Sequence, residues 1–165
     1  MQVQGLIYKL PTELKMLITT FLVVLSIGFY SGITFVENTS GFKTNGIQEN
    51  YLGNEDNDDA EIMKFKKNEK HMLNIIHSHI LSMGVIFFIV GGLLLTTDIS
   101  GFFRHFLMIE PLLSVLVTFG GIYFLWRGVL WMKYVIMISG TLMTLSYTAS
   151  VLVIIYQLFK NPKNV

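Results

Sequence analysis

The side chains best suited to chemistry are two histidines, in His77-Ser78-His79, and one acid, Glu110, all set in otherwise apolar sequence. Imidazole ligates haem iron, copper or zinc, and an ionisable side chain inside a membrane segment often marks a proton or ion path. Successive helical residues turn by ~100°, so His77 and His79 would stand ~200° apart. They cannot both enter one bundle interior. His77, Gly84 and Gly91 recur every seven residues, which predicts a packing stripe facing the other helices. Met72, His79 and Met83 form a second stripe, predicted to face a partner.

A haem b is commonly held by ligands on opposite ring faces from different helices. The first and fourth apolar segments contain no histidine, and His105 belongs at the far end of the third. A bis-histidine haem within one chain is therefore disfavoured. His77 paired with Met137, or a haem shared by two chains, stays open. Copper would suit histidines with nearby Met, and zinc would suit His71, His77 and His79 with a loop carboxylate. The preferred reading is plainer: His77 as a polar packing residue, His79 as an interfacial one, and no cofactor.

Glu110 is followed by Pro111, which loosens the backbone hydrogen bonding around it. Placed about one turn into its segment, Glu110 is predicted to lie near Thr19, Thr20, Thr96, Tyr156 and Gln157. A buried, hydrogen-bonded carboxyl is preferred over a relay, because only Ser114 and Thr118 follow it in the middle of that segment. The acidic run from Glu55 to Glu61 lacks the Gly and Glu that a calcium loop needs at its sixth and twelfth positions.

The elements that position these residues are four apolar stretches, at about 16–36, 72–97, 106–126 and 132–159, each near the ~20 residues that cross a bilayer. The chain has 165 residues, 52% hydrophobic and 14% charged, and a mean hydropathy of +0.57. The reading is an all-α integral membrane four-helix bundle, one transmembrane domain over 1–165 with a polar loop at 37–71. The first stretch is read as a retained helix rather than a cleaved signal. Its Gly28 and Gly32 form a small-xxx-small pair suited to helix packing. Acids before lysines predict a short interfacial helix starting near Asp58 or Asp59, with Glu61 and Lys64 at ion-pair spacing. There is no cysteine, which excludes disulfides and thiolate metal sites. A net charge of +1 argues against nucleic acid. Basic residues number five on the terminus side and seven on the long-loop side, which does not orient the chain.

The stretch from Gly53-Asn54-Glu55-Asp56 through Met63-Lys64-Phe65-Lys66-Lys67 to His77-Ser78-His79-Ile80-Leu81-Ser82-Met83 resembles a group of small bacterial four-helix membrane proteins. The resemblance covers about a fifth of the chain. It implies a bacterial membrane setting and a His-x-His at the start of the second helix, and no activity; the expected location is the bacterial inner membrane. The expectation is a non-enzymatic accessory or structural subunit of a larger membrane complex, respiratory or otherwise energy-coupled. Its partners would be the lipid bilayer and other subunits or a second copy, with both termini on one side. The alternatives are a haem- or copper-binding electron-transfer protein using His77 or His79, and a transporter or channel protomer.

Overall fold

The computed structural model describes residues 4–55, 57, 60 and 62–160. Among the described residues a 3-10 turn, Ile7–Lys9, precedes five helices: α1 (Thr12–Ser40), α2 (Thr44–Leu52), α3 (Glu69–Leu95), α4 (Gly101–Trp126) and α5 (Met132–Leu158). All but α2 are long and apolar enough to cross a membrane. At ~1.5 Å per residue each of these reaches ~40 Å, which exceeds the ~30 Å hydrocarbon layer and carries the helix ends to the headgroups.

Local chemistry sets the boundaries. Pro11 stands extended before α1, and Gly41 closes it in a left-handed conformation, φ 59°, donating its N–H to Glu37 O at 2.7 Å. Asn68 caps α3 by accepting from His71 N at 2.8 Å, with Glu69 in the first turn. A tight turn through Arg127 and Gly128 folds α5 back along α4.

The centre of the molecule is the α4–α5 hairpin with α3 against it. On α5 the buried positions Ile136, Ser139, Met143, Ser146, Tyr147, Ser150, Ile154 and Gln157 recur at three- and four-residue steps. The serines among them let α4 approach closely, as small residues do where helices pack inside lipid. On α4, Gly121 is the close-approach glycine: a Cβ there would stand 3.1 Å from Ile136 Cγ1. By contrast α1 buries only Ile18, Leu22, Phe29 and Ser40, a narrow seam. That seam is organised by Tyr147, fully buried. Its ring stacks on Phe29 at 4.0 Å between centroids and meets Phe87 edge-on at 6.2 Å.

The packing glycines predicted from sequence are corrected. A Cβ at Gly28, Gly32 or Gly84 would meet nothing within 4 Å, so these glycines face open space in the chain. Of the four, only Gly91 is buried against a neighbour, Met108. The two stripes of α3 are each split as well, with Gly91 buried in the first and His79 exposed in the second. Met72 is wholly buried and Met83 partly so, on an inward line continuing through Phe87, Val90 and Leu94, whereas His77 is exposed. The reason is physical: large side chains at three-four spacing make the seam, and glycine alone does not choose a face.

The short helix before α3 exists but lies earlier than predicted. It is α2, in the stretch read as loop, while residues 62–68 are not helical. Asp58, Asp59 and Glu61, where the helix start and the Glu61–Lys64 pair were expected, lie outside the described residues. α2 caps the loop end of the bundle. Its Asn45 and Gln48 accept from Lys133 Nζ at 3.2 and 3.0 Å. Asn54 accepts from Lys64 N at 2.6 Å and donates to Ile62 O at 3.0 Å, and Trp126 Nε1 donates to Lys67 O at 2.7 Å. Gly46 sits directly on the Ser40 carbonyl, where a Cβ would clash. Burial in this cap pushes the Tyr51 hydroxyl up to about 12, partly offset by a hydrogen bond with Asn50.

Gly121→Leu should lower the melting temperature in detergent sharply, because α4 and α5 must separate, while Gly84→Leu should leave it nearly unchanged. Thermal unfolding of both variants checks this; equal loss in the two would contradict the seam assigned here.

Candidate functional site

Three polar side chains of α4 form one buried line in the α4–α5 hairpin. Glu110, Ser114 and Thr118 follow one another at four-residue spacing and are all buried. Ser114 Oγ donates to Glu110 Oε1. One turn further, Thr118 Oγ1 and Ser139 Oγ lie 2.7 Å apart. Ser139 already gives its single proton to Val135 O at 2.8 Å, so Thr118 is the donor between the two hydroxyls. This makes an interhelical bond of the kind worth ~0.6 kcal/mol on average inside lipid.

Glu110 is 8% exposed, and its Oε2 is buried with no hydrogen-bond partner among the described residues. It lies ~14 Å along α4 from Gly101, only ~5 Å from the helix midpoint. The sequence placed it nearer the end because α4 begins at Gly101 rather than at Phe106. Its expected neighbours are engaged elsewhere. Gln157 clamps the α3–α4 turn, accepting from Asp98 N at 2.6 Å and donating to Asp98 O at 3.1 Å. Thr19 and Thr96 bond to carbonyls of their own chain segments, and Tyr156 is exposed. Pro111 continues the helix but has no N–H to offer the Leu107 carbonyl.

Beside this line the two helices part into a groove of about 610 Å³, walled by Phe106, Ile109, Leu113, Val117, Ile138 and Leu142, with Glu110, Ser114 and Ser139 among its lining. The sequence singled out Glu110. It did not reveal the groove or Ser139, whose signal was the spacing of Ser139, Ser146 and Ser150 on one face of α5.

The histidines stand apart from this line. His79, expected to face a partner, is exposed, with its ring 4.8 Å from Phe119 and Nδ1 donating to Ile75 O at 2.7 Å. That bond fixes the proton on Nδ1 and leaves Nε2 as the ring's acceptor when neutral. His77, expected inside the bundle, instead lines a surface recess with Lys70, Leu73, Asn74 and Ile76. Among the described residues no group of three or more His, Cys, Asp or Glu side chains is placed to hold a metal ion. His71, His77 and His79 are thus not brought together as the zinc alternative required.

At the other end of the bundle, Ile7 is fully buried and its N–H reaches Thr96 O at 3.2 Å. Gln4 Nε2 donates to Asp98 Oδ1 at 3.2 Å. The head before α1 therefore docks on the same turn that Gln157 holds.

Four long apolar helices in an all-helical chain define a polytopic membrane protein in a lipid bilayer. Residues 41–165 match the family Aq_1264_TM, a transmembrane helical domain, and the chain belongs to that family. The match begins at Gly41, the residue that ends α1. No curated protein and no solved structure matches the chain.

Ser114→Ala should cost ~1–3 kcal/mol, because it leaves both Glu110 oxygens without a donor. Ser139→Ala should cost less, ~0.6 kcal/mol. Adding Glu110→Leu to Ser114→Ala should recover most of the first loss. Reversible unfolding in mixed micelles measures all three, and a double variant as weak as Ser114→Ala alone would contradict the pairing.

Proposed function

We propose that the chain is a non-catalytic subunit of a larger complex in a bacterial inner membrane, with both termini on one side. The observation that carries this reading is α1. It lies outside the family match, and only 11% of its spanning window is buried within the chain. Met16, Leu17, Val24, Ile27 and Phe35 are each well exposed along it. A helix held by one seam leaves its remaining faces for lipid or for another membrane protein, and close packing between helices needs such free surface. Further support comes from three hydroxyl pairs that are spent on contacts between helices: Ser26 with Tyr147, Tyr30 with Thr148, Thr118 with Ser139.

One observation favours a second reading, electron transfer through a haem or copper. His79 carries its proton on Nδ1 toward Ile75 O, and a hydrogen bond from the far ring nitrogen to a carbonyl is what orients a ligating imidazole.

Blue-native electrophoresis of membranes carrying the full chain tests the first reading, with a photo-crosslinking residue at Val24 on α1. The chain should run in a larger species and crosslink to a neighbour through that position; a lone monomer without crosslink contradicts it. A visible absorption spectrum with metal analysis separates the second. A Soret band lost in His79→Ala would favour haem, whereas a colourless, metal-free protein would remove that reading.

A further inference from the structure

We propose that the groove between α4 and α5 binds a membrane-dissolved alcohol or phenol, an apolar body ending in one hydroxyl that donates to Glu110 Oε2. The site is built within this chain and does not depend on membership of a complex.

The argument begins with the acceptor. Glu110 is more than nine-tenths buried, Ser114 occupies Oε1, and Oε2 has no partner among the described residues. At this depth no bulk water is at hand to supply the missing donor, and an unmet polar atom in hydrocarbon is costly. Glu110 also lines the groove, whose remaining surface is almost wholly apolar. A ligand suited to it therefore needs an apolar body and one hydrogen-bond donor.

Size and depth narrow the class. The volume of about 610 Å³ falls in the ~300–1,000 Å³ range of small-molecule sites. The α4 wall runs from Phe106 to Val117, ~17 Å, about half the length a spanning partner helix would need for a continuous seam. A phospholipid does not fit the donor requirement, because its headgroup stays at the interface and only its chains reach this level. A long-chain or isoprenoid alcohol, or a quinol, carries its hydroxyl on an apolar body and dissolves at mid-depth. Ile109 and Leu113, which line the groove beside Glu110, are about half exposed, so the wall next to the carboxyl is open to the membrane.

Native mass spectrometry of the full chain in detergent, titrated with farnesol and with farnesyl acetate, tests the site. Farnesyl acetate has the same chain without the O–H. One farnesol should bind, about tenfold tighter than the ester, the worth of one hydrogen bond to a buried carboxyl. Glu110→Leu should bring farnesol down to the level of the ester while ester binding is kept, which also reports that the variant is folded. Glu110→Gln, which retains a carbonyl acceptor, should keep most of the preference. Leu113→Trp should weaken both compounds. Equal binding of alcohol and ester, unchanged farnesol binding in Glu110→Leu, or no adduct with either compound would overturn the proposal.

Discussion

Inside hydrocarbon, one apolar helix face is not sorted from another by the hydrophobic effect, because lipid tails are as apolar as leucine. The arrangement of these helices rests instead on packing shape and on a few polar contacts, and Tyr147 is where α1, α3 and α5 meet. Its ring stacks on Phe29 of α1, meets Phe87 of α3 edge-on, and its hydroxyl lies 3.1 Å from Ser26. The neighbouring Tyr30 donates to Thr148, whose own proton goes to Thr144 O. Three spanning helices are thus registered at one level by one aromatic cluster. Without it α1 would retain only Ile18 and Leu22 as buried apolar anchors within its membrane span.

The α4–α5 hairpin is stabilised differently. A short turn makes the pairing local, Gly121 and the serines of α5 make it close, and Thr118 with Ser139 fixes its register. Both ends are then sealed by polar groups outside the hydrocarbon. Lys133, Trp126 and Asn54 hold α2 and the following segment over one end, and Gln157 with Asp98 and Gln4 closes the other. Glu110 is the exception to this economy. It is the one acid inside the apolar stretches, away from the helix ends where Glu13, Glu37 and Glu69 lie, and one of its oxygens is unmatched among the described residues. Local polar rules are most often broken where a protein does something besides fold, and it is there that the two helices part.

The four spans were readable in the sequence because length and the absence of charge are sufficient signals for them. Their faces were much less readable. Helices apolar on every side carry little amphipathic contrast, so the glycines were given a weight that structure assigns to larger residues. Met72, Met83, Phe87, Val90 and Leu94 already keep the three-four spacing of a packing seam, and that pattern outranks Gly84. The α2 helix was hidden for another reason. Thr44–Leu52 has little apolar patterning, and it is placed by tertiary contacts, Lys133 with Asn45 and Gln48 above all, that no local propensity encodes. Glu110 was legible as an unusual residue, but its surroundings depended on the register of α4 against α5.

The most direct measurement is cysteine crosslinking, for which the absence of native cysteine gives a clean background. A Tyr30→Cys/Thr148→Cys pair reports α1 against α5, and a Thr118→Cys/Ser139→Cys pair reports α4 against α5. The first should crosslink in membranes through a short bis-maleimide, which replaces the length of the tyrosine side chain, and the second directly as a disulfide. Introducing Tyr147→Ala should then abolish most of the first crosslink and leave the second, because α1 hangs on that ring while the hairpin does not. Persistence of the α1 crosslink, or loss of both together, would contradict the account.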